Sequence, residues 1–186
     1  MSVIAFGKIA VFFFILATEA VMASVVSAQT QCFVANDDDY LISSISLSQS
    51  ELTQRWIAFE DEKCENPYLE ITRNYRIKNS KDKNFDLETT EVTYTARTAE
   101  AATSLKQVRY CGSTLWKKDL PISVVGRDCD GYQQPKINQM FFQILDKSET
   151  RILVGELTKE HDGTTAIKRP KNFDNLIFII PSSSDQ

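Results

Sequence analysis

The cysteines are the residues whose type and spacing most constrain the chemistry of this chain. Cys32, Cys64, Cys111 and Cys129 are even in number, which in an exported chain favours two disulfide bonds. Among the three pairings that four cysteines allow, we predict Cys32–Cys64 and Cys111–Cys129, because neighbours along the chain require least of the fold. Zinc is the alternative, but the spacings are long and the single histidine, His161, is remote in sequence. We therefore predict no metal site and no cofactor.

Groups that could act in catalysis are few. His161 lies in the polar stretch 159–163, and it would act as a general base only with a nucleophile within hydrogen-bond reach. Asp128 and Glu60 could supply carboxylates of the kind that glycosidases use, but both lie in predicted turns, where carboxylates usually accept backbone hydrogen bonds. The sequence contains no Gly-x-Ser-x-Gly or His-Glu-x-x-His motif. We predict a non-enzymatic protein and keep a hydrolase as the third hypothesis.

Aromatic side chains are the remaining candidates for a binding site. They make up 10% of the chain, and several fall on or beside predicted strands. In an eight-stranded barrel alternate residues point inward, and the interior has room for filling side chains or for one small ligand. The candidate ligand-binding residues are Trp56, Tyr75, Tyr94, Tyr110, Trp116 and Phe142. The other interpretation is that these side chains form the core.

The first residues predict export. Residues 9–17 form an apolar run behind Lys8, and small residues follow up to Ala28, which is the order of a secretory signal peptide. The run is too short for a membrane span, which needs about 20 apolar residues. We predict a signal peptide over residues 1–28, with cleavage after Ala23 as the alternative.

The rest of the chain, residues 29–186, has the length of one domain. The protein is then secreted or periplasmic, and no integral membrane anchor remains after cleavage. The formal net charge is −4 and the basic residues are dispersed, whereas nucleic-acid binding usually shows a clustered basic surface. We therefore predict no nucleic-acid partner.

Alternation of apolar and polar residues predicts strands over most of this domain. It is clearest over residues 68–77, and the apolar residues on one parity there are Leu69, Ile71, Tyr75 and Ile77. Residues 51–60 fit either a helix or a strand, and we predict a strand because a polar turn closed by Pro67 follows. Further strands are predicted over 40–48, 85–97, 120–125, 137–145, 151–158 and 176–180, with a loop at 78–84, one helical turn at 98–104 and a bulge at Gly155.

Eight or nine short strands without a long helix predict an all-β fold. We expect an antiparallel β-barrel, or a barrel-like sandwich, of about eight strands with at most one short helix. The connection between Cys111 and Cys129 is expected to join two of these strands and to be closed by a disulfide.

The layout resembles bacterial exported lipocalin-like proteins. The resemblance lies in the size, the leader, the rhythm of the strands and the Cys-Gly-x-x-x-Trp segment from Cys111 to Trp116. It also includes the closing pattern Asp162-Gly163, Arg169-Pro170, Phe173-Asp174 and Phe178. It implies a lipocalin-like barrel that carries a small ligand. No binding residue is carried over, because Trp56 lacks the glycine that lipocalins place two residues before their tryptophan.

Two functional hypotheses follow for a non-enzymatic barrel. The first is that the exported barrel binds a small apolar ligand in its interior. The alternative is a secreted protein-binding module or inhibitor, whose loops around Trp116 and Arg127 contact a protein partner. A hollow interior favours the first hypothesis, and a filled interior leaves only the loops.

Overall fold

The computed structural model describes residues 24–35 and 39–182, so most of the predicted leader lies outside the described residues. Within these ranges the chain forms twelve strands and one α-helix. In chain order they are β1 (Val26–Gln29), β2 (Phe33–Val34), β3 (Tyr40–Leu47), β4 (Glu51–Phe59), β5 (Pro67–Lys81), β6 (Asn84–Ala96), α1 (Ala99–Gln107), β7 (Ile122–Ser123), β8 (Asp128–Cys129), β9 (Tyr132–Gln133), β10 (Met140–Lys147), β11 (Arg151–Gly155) and β12 (Phe173–Ile179).

Eight of these strands form a closed antiparallel barrel. β1, β3, β4, β5, β6, β10, β11 and β12 follow one another round the barrel in chain order. β1 closes the ring, because Ala28 pairs with Ile45 of β3 and Gln29 pairs with Ile179 of β12. Closure satisfies the backbone groups that an open edge would expose. The predicted antiparallel barrel of about eight strands is confirmed.

The end of the barrel where β3 turns into β4 is filled with apolar side chains. Leu47 and Leu52 face each other across this hairpin, and Leu52 is completely buried. Each large apolar side chain buried in this way stabilises the fold by about 1.5–3 kcal/mol. The buried residues of this cluster are Ala28, Ile45, Leu47, Leu52, Tyr75, Leu87, Leu145, Ile152, Val154 and Phe178.

Residues 51–60, which fitted two secondary structures, form a strand as predicted. β4 pairs with β3 along its whole length, from Leu52 with Leu47 to Phe59 with Tyr40. Leu52, Gln54 and Ala58 alternate as buried residues, so the strand period of two describes this segment.

The predicted loop at 78–84 is much shorter than expected. β5 extends to Lys81 and β6 begins at Asn84, and these two residues pair directly. Asp82 adopts a φ of 56° in the remaining turn, a conformation that aspartate tolerates better than most residues. Polar composition predicted a loop here because both faces of this hairpin tip lie in solvent.

The connection between β6 and β10 forms a small cap, defined here as residues 98–138. α1 is longer than the single turn predicted, and the Thr98 hydroxyl accepts a hydrogen bond from the Ala101 N–H at 3.0 Å as its N-terminal cap. The predicted strand over 120–125 shrinks to the two residues of β7, which pair with β6. Pro121 has no N–H for a sheet hydrogen bond, which limits the pairing on that side.

The cap packs at the opposite end of the barrel from the filled cluster. It buries Trp116, Ile122 and Val124 against Tyr94 and Ala96 of β6. The C-terminal half of β6 therefore has the cap as its neighbour, while its N-terminal half pairs with β10. We call this capped end, where β4 ends and β5 begins, the mouth.

Both predicted disulfides are confirmed. Cys32–Cys64 joins the segment after β1 to the β4–β5 connection, and Cys111–Cys129 closes the cap on itself. In the chain-entropy account each such loop contributes about 3–4 kcal/mol by restricting the unfolded chain. No helix within residues 24–35 and 39–182 is long and apolar enough to cross a membrane.

Candidate functional site

The mouth contains an arginine on the inward face of the barrel. Arg73 lies on β5 with the same parity as the buried Tyr75, and it pairs with Gln54 and Val92 on the neighbouring strands. β4 places Trp56 beside it, so that the Arg73 Cζ lies 5.3 Å from the centre of the indole ring. A cation at this distance is attracted to the ring face, by about 0.5–2 kcal/mol.

Three cavities meet at this arginine. The polar cavity, about 190 Å³, is lined by Arg73, Tyr75, Thr89, Gln134, Gln139 and Phe141 among others. The central cavity, about 210 Å³, has Gln54, Trp56, Arg73, Phe141, Gln143 and Asp174 in its wall. The apolar cavity, about 220 Å³, is lined by Leu41, Trp56, Ala58, Leu69, Ile71 and Arg73. Arg73 lines all three, so its side chain stands between them.

Hydrogen bonds tie Arg73 to the cap. Its Nη2 donates to Gln134 Oε1 at 3.2 Å, and Gln134 Nε2 in turn donates to the Tyr94 hydroxyl at 2.9 Å. Gln134 is almost fully buried, so this chain of contacts fixes the cap over β5 and β6. The Nε of Arg73 and the Oγ1 of Thr89 are buried without a hydrogen-bond partner among the described residues.

The tyrosines next to Arg73 carry no compensating charge. Burial raises the pKa of Tyr75, with the Arg73 guanidinium acting in the opposite direction. Burial and the neighbouring Tyr110 raise the pKa of Tyr94 to about 12. Both phenols are therefore neutral near pH 7, and neither offsets the charge of Arg73.

The six aromatic residues predicted for a ligand site fall in different places. Trp56 lies at the mouth and lines two of its cavities, and Tyr75 lies in the filled cluster and lines the polar cavity. Tyr94, Tyr110 and Trp116 pack together between the cap and the barrel, with ring centres 6.1 and 6.2 Å apart. The Trp116 side chain is therefore mostly core, and its indole N–H donates to the Tyr110 carbonyl at 3.3 Å.

Phe142 lies outside the barrel, which corrects its prediction as an interior residue. It pairs with Asp86, whereas Phe141 pairs with the buried Leu87. The Arg169 guanidinium covers its ring at 5.3 Å. Because residues 140–145 are mostly apolar, the sequence alone did not show which parity faces inward; Phe141 takes the interior position.

Arg73 itself was missed by sequence analysis. Within residues 68–77 it occupies the one charged position on the parity that otherwise carries apolar side chains. A charged residue in such a place signals either a buried ion pair or a binding site. The cap residue Gln134 gave no comparable signal, because it comes from a stretch without periodicity.

The residues considered for catalysis do not line the mouth cavities. Asp128 Oδ1 accepts the Gly131 N–H at 2.7 Å within the β8–β9 hairpin, and Glu60 is exposed beside the β4–β5 turn. His161 is half-buried, with a buried Nδ1 that has no partner among the described residues. The described part of the chain contains no cluster of three His, Cys, Asp or Glu side chains that could hold a metal ion.

Comparison with known proteins gives no family for this chain. No protein-family model matches this chain, and no curated protein is significantly similar to it in sequence.

Proposed function

We propose that this chain is an exported, non-enzymatic β-barrel that binds a small apolar ligand at its mouth. The observation that carries the proposal is the group of three cavities around Arg73, with Trp56 and Phe141 each lining two of them. Ligand pockets typically occupy about 300–1,000 Å³. Each of these cavities is smaller, so a ligand would need two or more of them to join through movement of the side chains between them. The interior of an eight-stranded barrel holds either filling side chains or one small ligand, and the cavities favour the second.

The division of the barrel supports this proposal. The β3–β4 end is packed with aliphatic and aromatic side chains, while the mouth holds the cavities. The two disulfides favour an oxidising compartment, in keeping with the predicted leader. The lipocalin-like resemblance of the sequence points to the same class of carrier.

The position of the two tryptophans gives a direct test. Trp56 lines the mouth, and Trp116 is buried under the cap. Titration with the neutral apolar dye N-phenylnaphthylamine is expected to change tryptophan fluorescence in a saturable manner, by energy transfer and contact. Trp56→Phe should abolish most of the contact quenching, whereas Trp116→Phe should retain it. A folded protein that shows no saturable response contradicts the proposal.

A second candidate function is supported by a groove on the cap. The open groove between α1 and residues 114–118 is lined by Lys106, Arg109, Lys117 and Lys118. Four cations on one groove suit an acidic segment of a protein partner. This is the protein-binding hypothesis in a modified form, because the buried Trp116 supports the groove from beneath. Failure of the dye titration would make this groove the preferred site.

A further inference from the structure

Arg73 differs from the other partly buried arginines in its lack of a carboxylate partner. Those arginines are paired: Arg55 with Glu70 at 2.6 Å, Arg97 with Glu70 at 2.5 Å and Arg169 with Asp86 at 2.5 Å. Among residues 24–35 and 39–182, Arg73 forms no ion pair, and its hydrogen bonds go to neutral groups, the amide of Gln134 and the phenol of Tyr75. A cation withdrawn from water without a counter-charge is costly, so this position favours an incoming anion.

The one acidic residue in the walls of the three cavities is Asp174, which lines the central cavity. It forms no ion pair with Arg73, and its Oδ1 accepts the N–H of Leu176 at 3.1 Å. The phenols of Tyr75 and Tyr94 are neutral near pH 7, as described above. The positive charge at the mouth is therefore left for a group from outside the described chain.

Two buried polar atoms beside the polar cavity lack partners. The Nε–H of Arg73 can donate a hydrogen bond and the Thr89 hydroxyl can donate another, and neither has a partner among the described residues. Both residues line the polar cavity. A carboxylate presents two acceptor oxygens, and arginine binds such groups through parallel N–H donors.

The other side of Arg73 is suited to hydrocarbon. The apolar cavity is walled by Leu41, Ala58, Leu69, Ile71 and the indole of Trp56, with Arg73 as its one charged residue. An anion bound at Arg73 would therefore extend its apolar part over Trp56 into this cavity. The two cavities together match a molecule that has one charged end and one apolar end.

We propose that Arg73 anchors the carboxylate of a small amphipathic acid, whose apolar part occupies the cavity beside Trp56. This inference rests on the proposed function and names its ligand class. The carboxylate accepts hydrogen bonds from the Arg73 guanidinium, and it neutralises the charge that the protein leaves unpaired.

Calorimetric titration with decanoate and with decanol tests the inference, because these ligands share the chain and differ in the head group. Wild-type protein should bind decanoate about tenfold or more tightly than decanol, the factor expected for a hydrogen-bonded charge pair. Arg73→Gln should remove this preference, and Arg73→Lys should retain part of it. Arg76→Gln is the matched control. Arg76 lies on the same strand and faces solvent, and its substitution changes the net charge by the same amount as Arg73→Gln.

The outcomes separate this inference from the proposed function. Saturable binding of N-phenylnaphthylamine with equal affinity for decanoate and decanol would overturn the role of Arg73 while leaving the barrel a carrier of apolar ligands. A preference for decanoate that persists in Arg73→Gln would also overturn it. Loss of the preference in Arg73→Gln, with near-ultraviolet circular dichroism unchanged and the preference retained in Arg76→Gln, would support it. Absence of dye binding would remove the proposed function itself.

Discussion

At the scale of single residues, the mouth depends on close approaches that only small side chains permit. Gly163 is buried with a φ of +71°, and an added Cβ would lie 2.6 Å from Phe141 Cε2 and 2.8 Å from the Phe142 carbonyl oxygen. The Gly163 carbonyl also accepts the Phe142 N–H at 2.8 Å. The loop after β11 therefore packs closely against Phe141, which lines two of the cavities.

This contact predicts the effect of Gly163→Ala. The variant should lose about 1–3 kcal/mol more stability than Gly131→Ala, because overpacking adds to the backbone strain. Gly131 is the matched control: its φ is +85°, and an added Cβ there would have no atom within 4 Å. Urea unfolding of both variants measures the difference. Equal losses would mean that the loop at Gly163 moves away without cost to Phe141.

At the residue scale, the disulfide pairing could be predicted from the sequence, whereas the inward position of Arg73 could not. Nearest-neighbour pairing identified both disulfides, since short loops ask least of the chain. Arg73 and Phe141 were missed for a common reason: inward and outward positions are separated by one residue, and only the register with β4 and β6 fixes them.

At the scale of elements, β1 is the strand on which closure of the barrel depends. β1 supplies the closing pairs to β3 and β12, and Ala28 is 2% exposed within the filled core. Cleavage after Ala28 would remove most of this strand and leave the edges of β3 and β12 unpaired. Cleavage after Ala23, the alternative weighed from the sequence, leaves β1 whole.

We therefore predict that the mature protein begins at Ser24. Intact-mass measurement of material secreted from an expressing host should give the mass of residues 24–186, less the hydrogens lost in two disulfides. Ala23→Leu should block this processing, because signal peptidase requires a small residue before the cut, and it leaves β1 unchanged. A mature chain that starts at Gln29 would contradict the prediction.

The barrel strands were largely predictable because each has one wet and one buried face, which gives the period of two that sequence analysis reads. The cap could not be predicted in this way, because it consists of turns, a short helix and a two-residue strand, which give no sequence periodicity. Its contribution to the mouth, above all Gln134 against Arg73, comes from residues 61 positions apart in sequence.

At the scale of the whole molecule, the barrel and the cap have separate apolar clusters. One fills the β3–β4 end, and the other lies between the cap and the outer halves of β5 and β6. The links between them at the mouth are polar, through Gln134 to Arg73 and through Asp119 to Arg97 at 3.0 Å. The cap also rests on β6 through the second cluster and the pairing of β7, so it can open without disrupting the first cluster. Opening the cap would admit a ligand to the cavities beneath it.

Breaking the cap disulfide should uncouple the two units. Cys111→Ser with Cys129→Ser removes a cross-link between residues 18 positions apart, which should cost the cap about 3 kcal/mol in the chain-entropy account. Hydrogen exchange followed by mass spectrometry should then show faster exchange over residues 99–138, while the amides of β3 and β4 near Leu47 and Leu52 stay protected. Cys32→Ser with Cys64→Ser is the control, since it frees a loop remote from the cap in sequence. If the β3 and β4 amides lose protection together with the cap, the molecule unfolds as one cooperative unit, and ligand entry must proceed without cap opening.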